Sequence, residues 1–330
     1  MRRVVSVVIL GLAFTLAATL IAADALPLWA YGYIKAPDPG AVVTPPPAQV
    51  TFPDQSLKHL PGSTRTFTRA QIRDAFGPAD WYADDHRAMP DVVAHGRKPD
   101  VWACGLCHSP NGKGRPENAG VSGLPVAYFI QQMADFKNGL RNSADTKKAN
   151  TKLMGAFARA MTDDEVKAAA EYFGAMKWTP WIKVVEATTV PKTTPSGGMF
   201  LRAEGNDTEP LGQRIIETPV DGEATEVLRD PRSPFIAYVP VGSIKRGEAL
   251  VATGGGKTTQ CAICHGGDLK GLGPVPGIAG RSPSYVVRQL YDMQEGTRKG
   301  VWSDLMKSVV AKLNNADMVA IAAYTASRMP

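Results

Sequence analysis

All four cysteines of the chain fall in two copies of one five-residue pattern, Cys104-Gly105-Leu106-Cys107-His108 and Cys261-Ala262-Ile263-Cys264-His265. Two thiols separated by two residues and followed at once by an imidazole suit the covalent attachment of a c-type haem. One turn of backbone presents both sulfurs to the vinyl groups on the porphyrin edge, and the adjacent His reaches under the ring as an axial ligand. The competing chemistries fit less well. A disulfide across two residues is a strained span, and each pair's only other partner is the second pair. A structural zinc site needs four ligands at compatible spacing, whereas the two pairs lie 157 residues apart. A thioredoxin-like pair lacks its βαβ context and does not call for His in both copies.

The similarity between the copies extends beyond the motifs. At the same 157-residue offset, Tyr128 aligns with Tyr285, Gln132 with Gln289, and Gly139-Leu140-Arg141 with Gly296-Thr297-Arg298. After a loss of five residues, Met154 to Phe173 aligns with Met306 to Thr325 at an offset of 152. Each half is one copy of a repeated domain. A second axial ligand should then recur at one aligned position. Met133, Met161, Met293 and Met318 align with Leu290, Leu313, Phe136 and Val166, which marks them as core residues. Only Met154 and Met306 superpose as Met on Met, so they are assigned as distal ligands opposite His108 and His265. His265 is the only histidine of the second copy, which excludes bis-His ligation there. His59, His86 and His95 precede the first motif and are read as surface or locally hydrogen-bonded.

On these residues the chain resembles the bacterial two-domain dihaem class I cytochromes c. The resemblance implies a mainly α fold with two tandem class I cytochrome c domains and two covalently bound haem c groups. It also implies that a proline carbonyl takes the proximal imidazole proton. Pro276, in Pro276-Gly277-Ile278-Ala279-Gly280, matches that element and becomes the expected partner of His265. The first copy departs from the pattern, because Ala119 stands where Pro is expected; its carbonyl can still serve.

The elements that must position these groups are legible in outline. Phe129, Ile130, Met133 and Phe136 lie on one stripe of a helix expected over 125–138. Thr162-Asp163-Asp164-Glu165 is a capping-box start, and Asn314 opens the equivalent helix of the second copy. A short helix is expected near 243–252. Between the copies, strand-like runs at 181–190, 213–217 and 235–241 predict a β-containing connector that packs on one or both domains.

The N-terminus reads as an export signal, with Arg2 and Arg3 before an apolar run from Val4 to Ala23 and an A-x-A pattern at Ala23-Asp24-Ala25. The alternative is a retained membrane anchor, which would associate the protein with the membrane. Either reading places the rest of the chain outside the cytoplasm, in the periplasm. Seven prolines between Ala36 and Pro61 predict an extended arm. The expected layout is a signal peptide or anchor over 1–25, the Pro-rich arm over 26–64, the first domain over 65–178, the connector over 179–240 and the second domain over 241–330.

Composition narrows the function. The 330 residues are 44% apolar and 21% charged, which excludes collagen-like, coiled-coil and wholly disordered chains. The formal charge is +6, yet no block of five like charges occurs, which argues against a nucleic-acid partner. Six-coordinate His/Met iron leaves no open position for substrate, so an electron carrier is expected rather than an enzyme. The partners would be redox proteins: a dehydrogenase, a quinol–cytochrome c reductase or a terminal oxidase. An electron-accepting subunit of a periplasmic dehydrogenase is the near alternative, and a dihaem peroxidase a more distant one. Lys113, Arg115 and Lys270, beside the motifs, are candidates for steering an acidic partner.

Overall fold

The structure is a computed structural model and describes residues 52–146 and 148–330. The apolar N-terminal run, its small-residue pattern and Pro45 to Pro47 lie outside the described residues. Among the described residues, no helix is long and apolar enough to cross a membrane.

The repeat read from sequence is a repeat in space. In the first copy, helices Val126–Lys137, Ala149–Ala160 and Asp163–Gly174 follow the Cys104–His108 turn. In the second, Pro283–Gln294, Val301–Val310 and Asn315–Ser327 follow Ala262–His265, and each begins at the offset found in the sequence. Local chemistry sets these starts. Thr162 and Glu165 bond each other's backbone N–H groups in a reciprocal cap, as do Asn314 and Asp317. Ser282 accepts from the Tyr285 N–H, and Pro283 occupies the first turn, where its missing donor costs nothing.

Each copy has its own core. Val92, Val93, Val121, Met133, Met161, Ala169, Tyr172 and Phe173 fill the first. The second is built on Val287, Leu290, Met293, Val310, Leu313, Met318 and Ile321, so Met133, Met161, Met293 and Met318 are core residues as expected. The second copy also gains helix Ser243–Thr253, which crosses Asn315–Ser327 at Gly247. A Cβ at Gly247 would sit 2.0 Å from the Ala320 carbonyl oxygen, so only glycine allows this approach.

The connector is folded. Its central strand Phe235–Pro240 runs parallel to Ile182–Ala187 and antiparallel to Ile216–Pro219. Ile215 and Val239 enter the second domain's core, with Val184 packed against it, which fuses the sheet to that domain. Two small ladders were not expected from the sequence. Thr189–Pro191 pairs with Thr208–Pro210, and Thr193–Ser196 with Met199–Arg202. The second closes on Gly197 and Gly198, both at positive φ, a hairpin turn that Gly-Gly favours.

Residues near the first domain's N-terminal end make a further small unit. Lys58–His59 pairs with Thr66–Phe67, and Leu60, Ile72, Trp81 and Tyr82 form a cluster against which Leu228 of the connector packs. The end of the stretch read as an extended arm is thus part of a hairpin.

Candidate functional site

The two motif loops share one backbone design. In the first, Gly112 accepts from the N–H groups of Val121 (2.7 Å) and Ser122 (3.1 Å). In the second, Leu269 accepts from Ile278 (2.8 Å) and Ala279 (3.1 Å), the equivalents at the 157-residue offset. Both Gly112 and Leu269 lie in the left-handed region, φ +70° and +62°; Leu269 holds it although it carries a side chain. The design brings a carbonyl to each histidine. His108 Nδ1 lies 2.8 Å from the Ala119 oxygen, and His265 Nδ1 lies 2.8 Å from the Pro276 oxygen. A carbonyl only accepts, so Nδ1 carries the proton and Nε2 keeps its lone pair for a metal. Ala119 fills the role without proline because the Gly112 turn fixes its loop.

The electrostatics suit neutral ligands. Burial lowers the pKa of both His108 and His265 and keeps the imidazoles uncharged, against the opposing effect of their carbonyl bonds. Burial also pushes the Cys104 thiol up to about 12 and the Cys261 thiol up to about 11, which disfavours thiolate chemistry in the unmodified chain. All four cysteines are free, and no cluster of three or more His, Cys, Asp or Glu among the described residues could hold a metal ion. Met154 and Met306 are half-buried near the middle of the equivalent helices Ala149–Ala160 and Val301–Val310. Met154 packs with Cys104 against the first core, and Met306 packs with Cys261 against the second. Paired thiols, a neutral imidazole with a free Nε2 and a thioether, all beside apolar residues, fit a covalently held haem in each copy.

The Gly-x-Arg elements tie the copies together. Arg141 and Arg298 pair as an isolated antiparallel bridge. Arg141 donates to the Tyr285 hydroxyl (2.9 Å), and Arg298 reciprocates to Tyr128 (2.8 Å). Because Arg141 is equivalent to Arg298 and Tyr128 to Tyr285, the interface has an approximate twofold relation. Arg298 also donates to Gln132 and Gln289.

Three arginines escaped the sequence reading or behave differently from it. Arg281, 6% exposed, donates to the carbonyls of Gly120 (2.8 Å), Ser122 (3.0 Å) and Gly277 (3.2 Å) and lies over the Trp178 ring. It thereby links the two residues that follow the histidine-binding carbonyls. Its place just after Pro276–Gly280 was the one available signal. Arg229 of the connector, at φ +53°, donates to the Leu106 carbonyl inside the first motif; nothing in the sequence marks it. Arg115, expected to face an acidic partner, turns inward and pairs with Glu117 (2.6 Å) and Glu226 (2.7 Å).

Comparisons with known proteins agree with this geometry. The cytochrome c family model matches residues 99–177. Cytochrome c-554(548) of Halomonas halodenitrificans is 36% identical over 78 residues, 23% of this chain and 94% of that protein. Cytochrome c4 of Azotobacter vinelandii is 26% identical over 246 residues, 72% of this chain and 89% of that protein. A protein of Thiomonas intermedia named thiosulfate dehydrogenase electron acceptor is 24% identical over 234 residues, 70% of this chain and 80% of that protein. The chain belongs to the cytochrome c family. Its cofactor is covalently bound haem c, and it transfers electrons to and from redox partners rather than acting as an enzyme.

Proposed function

We propose that the chain carries one haem in each copy, held through Cys104 and Cys107 in the first and Cys261 and Cys264 in the second. His108 and Met154 would hold one iron, and His265 and Met306 the other. The observation that carries this reading is the duplicated histidine–carbonyl pair, His108 with Ala119 and His265 with Pro276. Two equivalent loops each hold an imidazole with Nδ1 donating and Nε2 free.

The bound haem supplies one-electron chemistry through its iron. The chain's residues do the rest. The carbonyls fix the rings of His108 and His265 and raise their basicity. The thioethers of Met154 and Met306 would complete each set of iron ligands and favour the reduced state. The Arg141–Tyr285 and Arg298–Tyr128 clamps hold the copies at a fixed separation.

The exported chain would work in the periplasm, over a domain layout of 65–178 and 241–330 around the connector, with 1–25 as signal or anchor and 26–64 as arm. Its partners would be a dehydrogenase, a quinol–cytochrome c reductase or a terminal oxidase. The second reading, an electron-accepting subunit of a periplasmic dehydrogenase, draws support from the Thiomonas intermedia relative's name.

A spectroelectrochemical titration tests ligation. Both haems are expected to stay low-spin in both oxidation states, each taking up one electron, with the weak far-red band of methionine-bound ferric haem. A high-spin haem would point to an open coordination position and overturn the His/Met assignment.

A further inference from the structure

The two motif loops match residue for residue, but their surroundings do not. Leu106 is 9% exposed, whereas its equivalent Ile263 is 61% exposed. The Arg115 side chain is 14% exposed, whereas its equivalent Leu272 is 57% exposed. Cys107 and Lys113 are half-buried, whereas Cys264 and Lys270 are exposed. The loops share their backbone hydrogen bonds, so the contrast comes from what lies over them.

The cover is the connector. Arg229 reaches into the first motif and donates to the Leu106 carbonyl. Asn111 donates to the Pro231 carbonyl at 2.7 Å, and Arg115 pairs with Glu226 at 2.7 Å. This stretch is fastened from its other side by the N-terminal unit. Trp81 Nε1 donates to the Leu228 carbonyl (2.7 Å), Arg73 pairs with Glu226 (2.8 Å), and Arg232 pairs with Asp85 (2.6 Å) while lying over the Tyr82 ring. A loop held on both faces by charge-assisted hydrogen bonds is a fixed part of the fold. Among the described residues, no such layer lies over Ile263 and Leu272 of the second motif.

We propose that residues 228–233 form a cap that closes the first haem-attachment loop to outside redox partners. The second loop is then the point of electron entry and exit. The inference rests on the electron-transfer reading above. Two thioether bonds would tie the haem to its motif loop, so a cover over the loop would stand between that attachment and an outside partner. Electron exchange falls steeply with distance, which puts the capped edge at a disadvantage. At the open loop, an outside donor loses one electron as the second iron passes from ferric to ferrous. That electron is shared with the first iron across the fixed interface, and the reverse steps release it.

The test uses the intact holoprotein and a neutral gadolinium chelate as a soluble relaxation probe, with haem resonances assigned to each haem by NMR. The second haem's thioether-edge resonances are expected to relax several-fold more than the first's. Arg229→Ala, and separately Glu226→Gln as a milder loosening of the same cover, should raise relaxation of the first haem several-fold and leave the second unchanged. Equal relaxation of the two haems in the unaltered chain, or a contrast that survives both substitutions, overturns the cap. A chain without haem resonances would overturn the electron-transfer reading itself, a result distinct from two equally exposed haems.

Discussion

Met306→Ala is expected to abolish the methionine–iron signature of one haem while both haems remain covalently attached. The thioether is the only axial contribution this substitution removes, since His265 keeps its bond to Pro276 and the cysteines are untouched. Axial ligands tune haem potentials over roughly 0.8 V, so the affected haem should fall by on the order of 0.1–0.2 V. The loss should be confined to one haem, because Met154 belongs to the other core. Met318→Leu and Met293→Leu serve as controls. Those side chains are 0% and 8% exposed within the second core, and a volume-conserving swap there costs less than about 1.5 kcal/mol. Visible absorption and a redox titration read both outcomes. Loss of the signature in Met318→Leu would show that the alignment of the second copy is wrong.

Gly247→Ala is expected to be the most destabilising of the small substitutions. The added methyl would meet the Ala320 carbonyl oxygen at 2.0 Å and the Tyr324 Cβ at 2.7 Å. Most of these neighbouring atoms are backbone, so relief requires the two helices to separate. Overpacking of this kind costs about 1–3 kcal/mol and occasionally more, and the upper end is expected here. Gly222→Ala is the matched control, with helical φ and nothing within 4 Å of its Cβ position. Chemical denaturation of both variants should separate them clearly. The damage should reach the second haem loop, because the Gly280 N–H donates to the Thr325 carbonyl of the displaced helix.

Most of the site could be read from the sequence because its chemistry is local. Two thiols and an imidazole within five residues need no tertiary contact to be recognised. The offset of 157 then carried the reading to Tyr128, Tyr285, Arg141 and Arg298. The capping box at Thr162 and the helix start at Asn314 are likewise contained within four residues, and both formed. What escaped depends on long-range contacts. Arg229 gains its role only when the connector folds back over a motif 123 residues earlier in the chain. Arg115 looked like a free surface cation because Glu226, one of its two partners, lies 111 residues away, and nothing in the sequence marks the inward turn that also pairs it with Glu117. The Thr193–Ser196 and Met199–Arg202 ladder is short and carries Pro195, so alternation was too weak to mark it, although Gly197-Gly198 offered a turn signal. Ala119 shows the opposite case, where the sequence lacks the expected proline and the loop still delivers its carbonyl to His108.

The most direct test of the central claim is the intact mass of the purified holoprotein under denaturing conditions. The account predicts a mass above that of the processed chain by two haem groups, and by one in the Cys261→Ala, Cys264→Ala double variant. A chain whose mass shows no attached haem would contradict it.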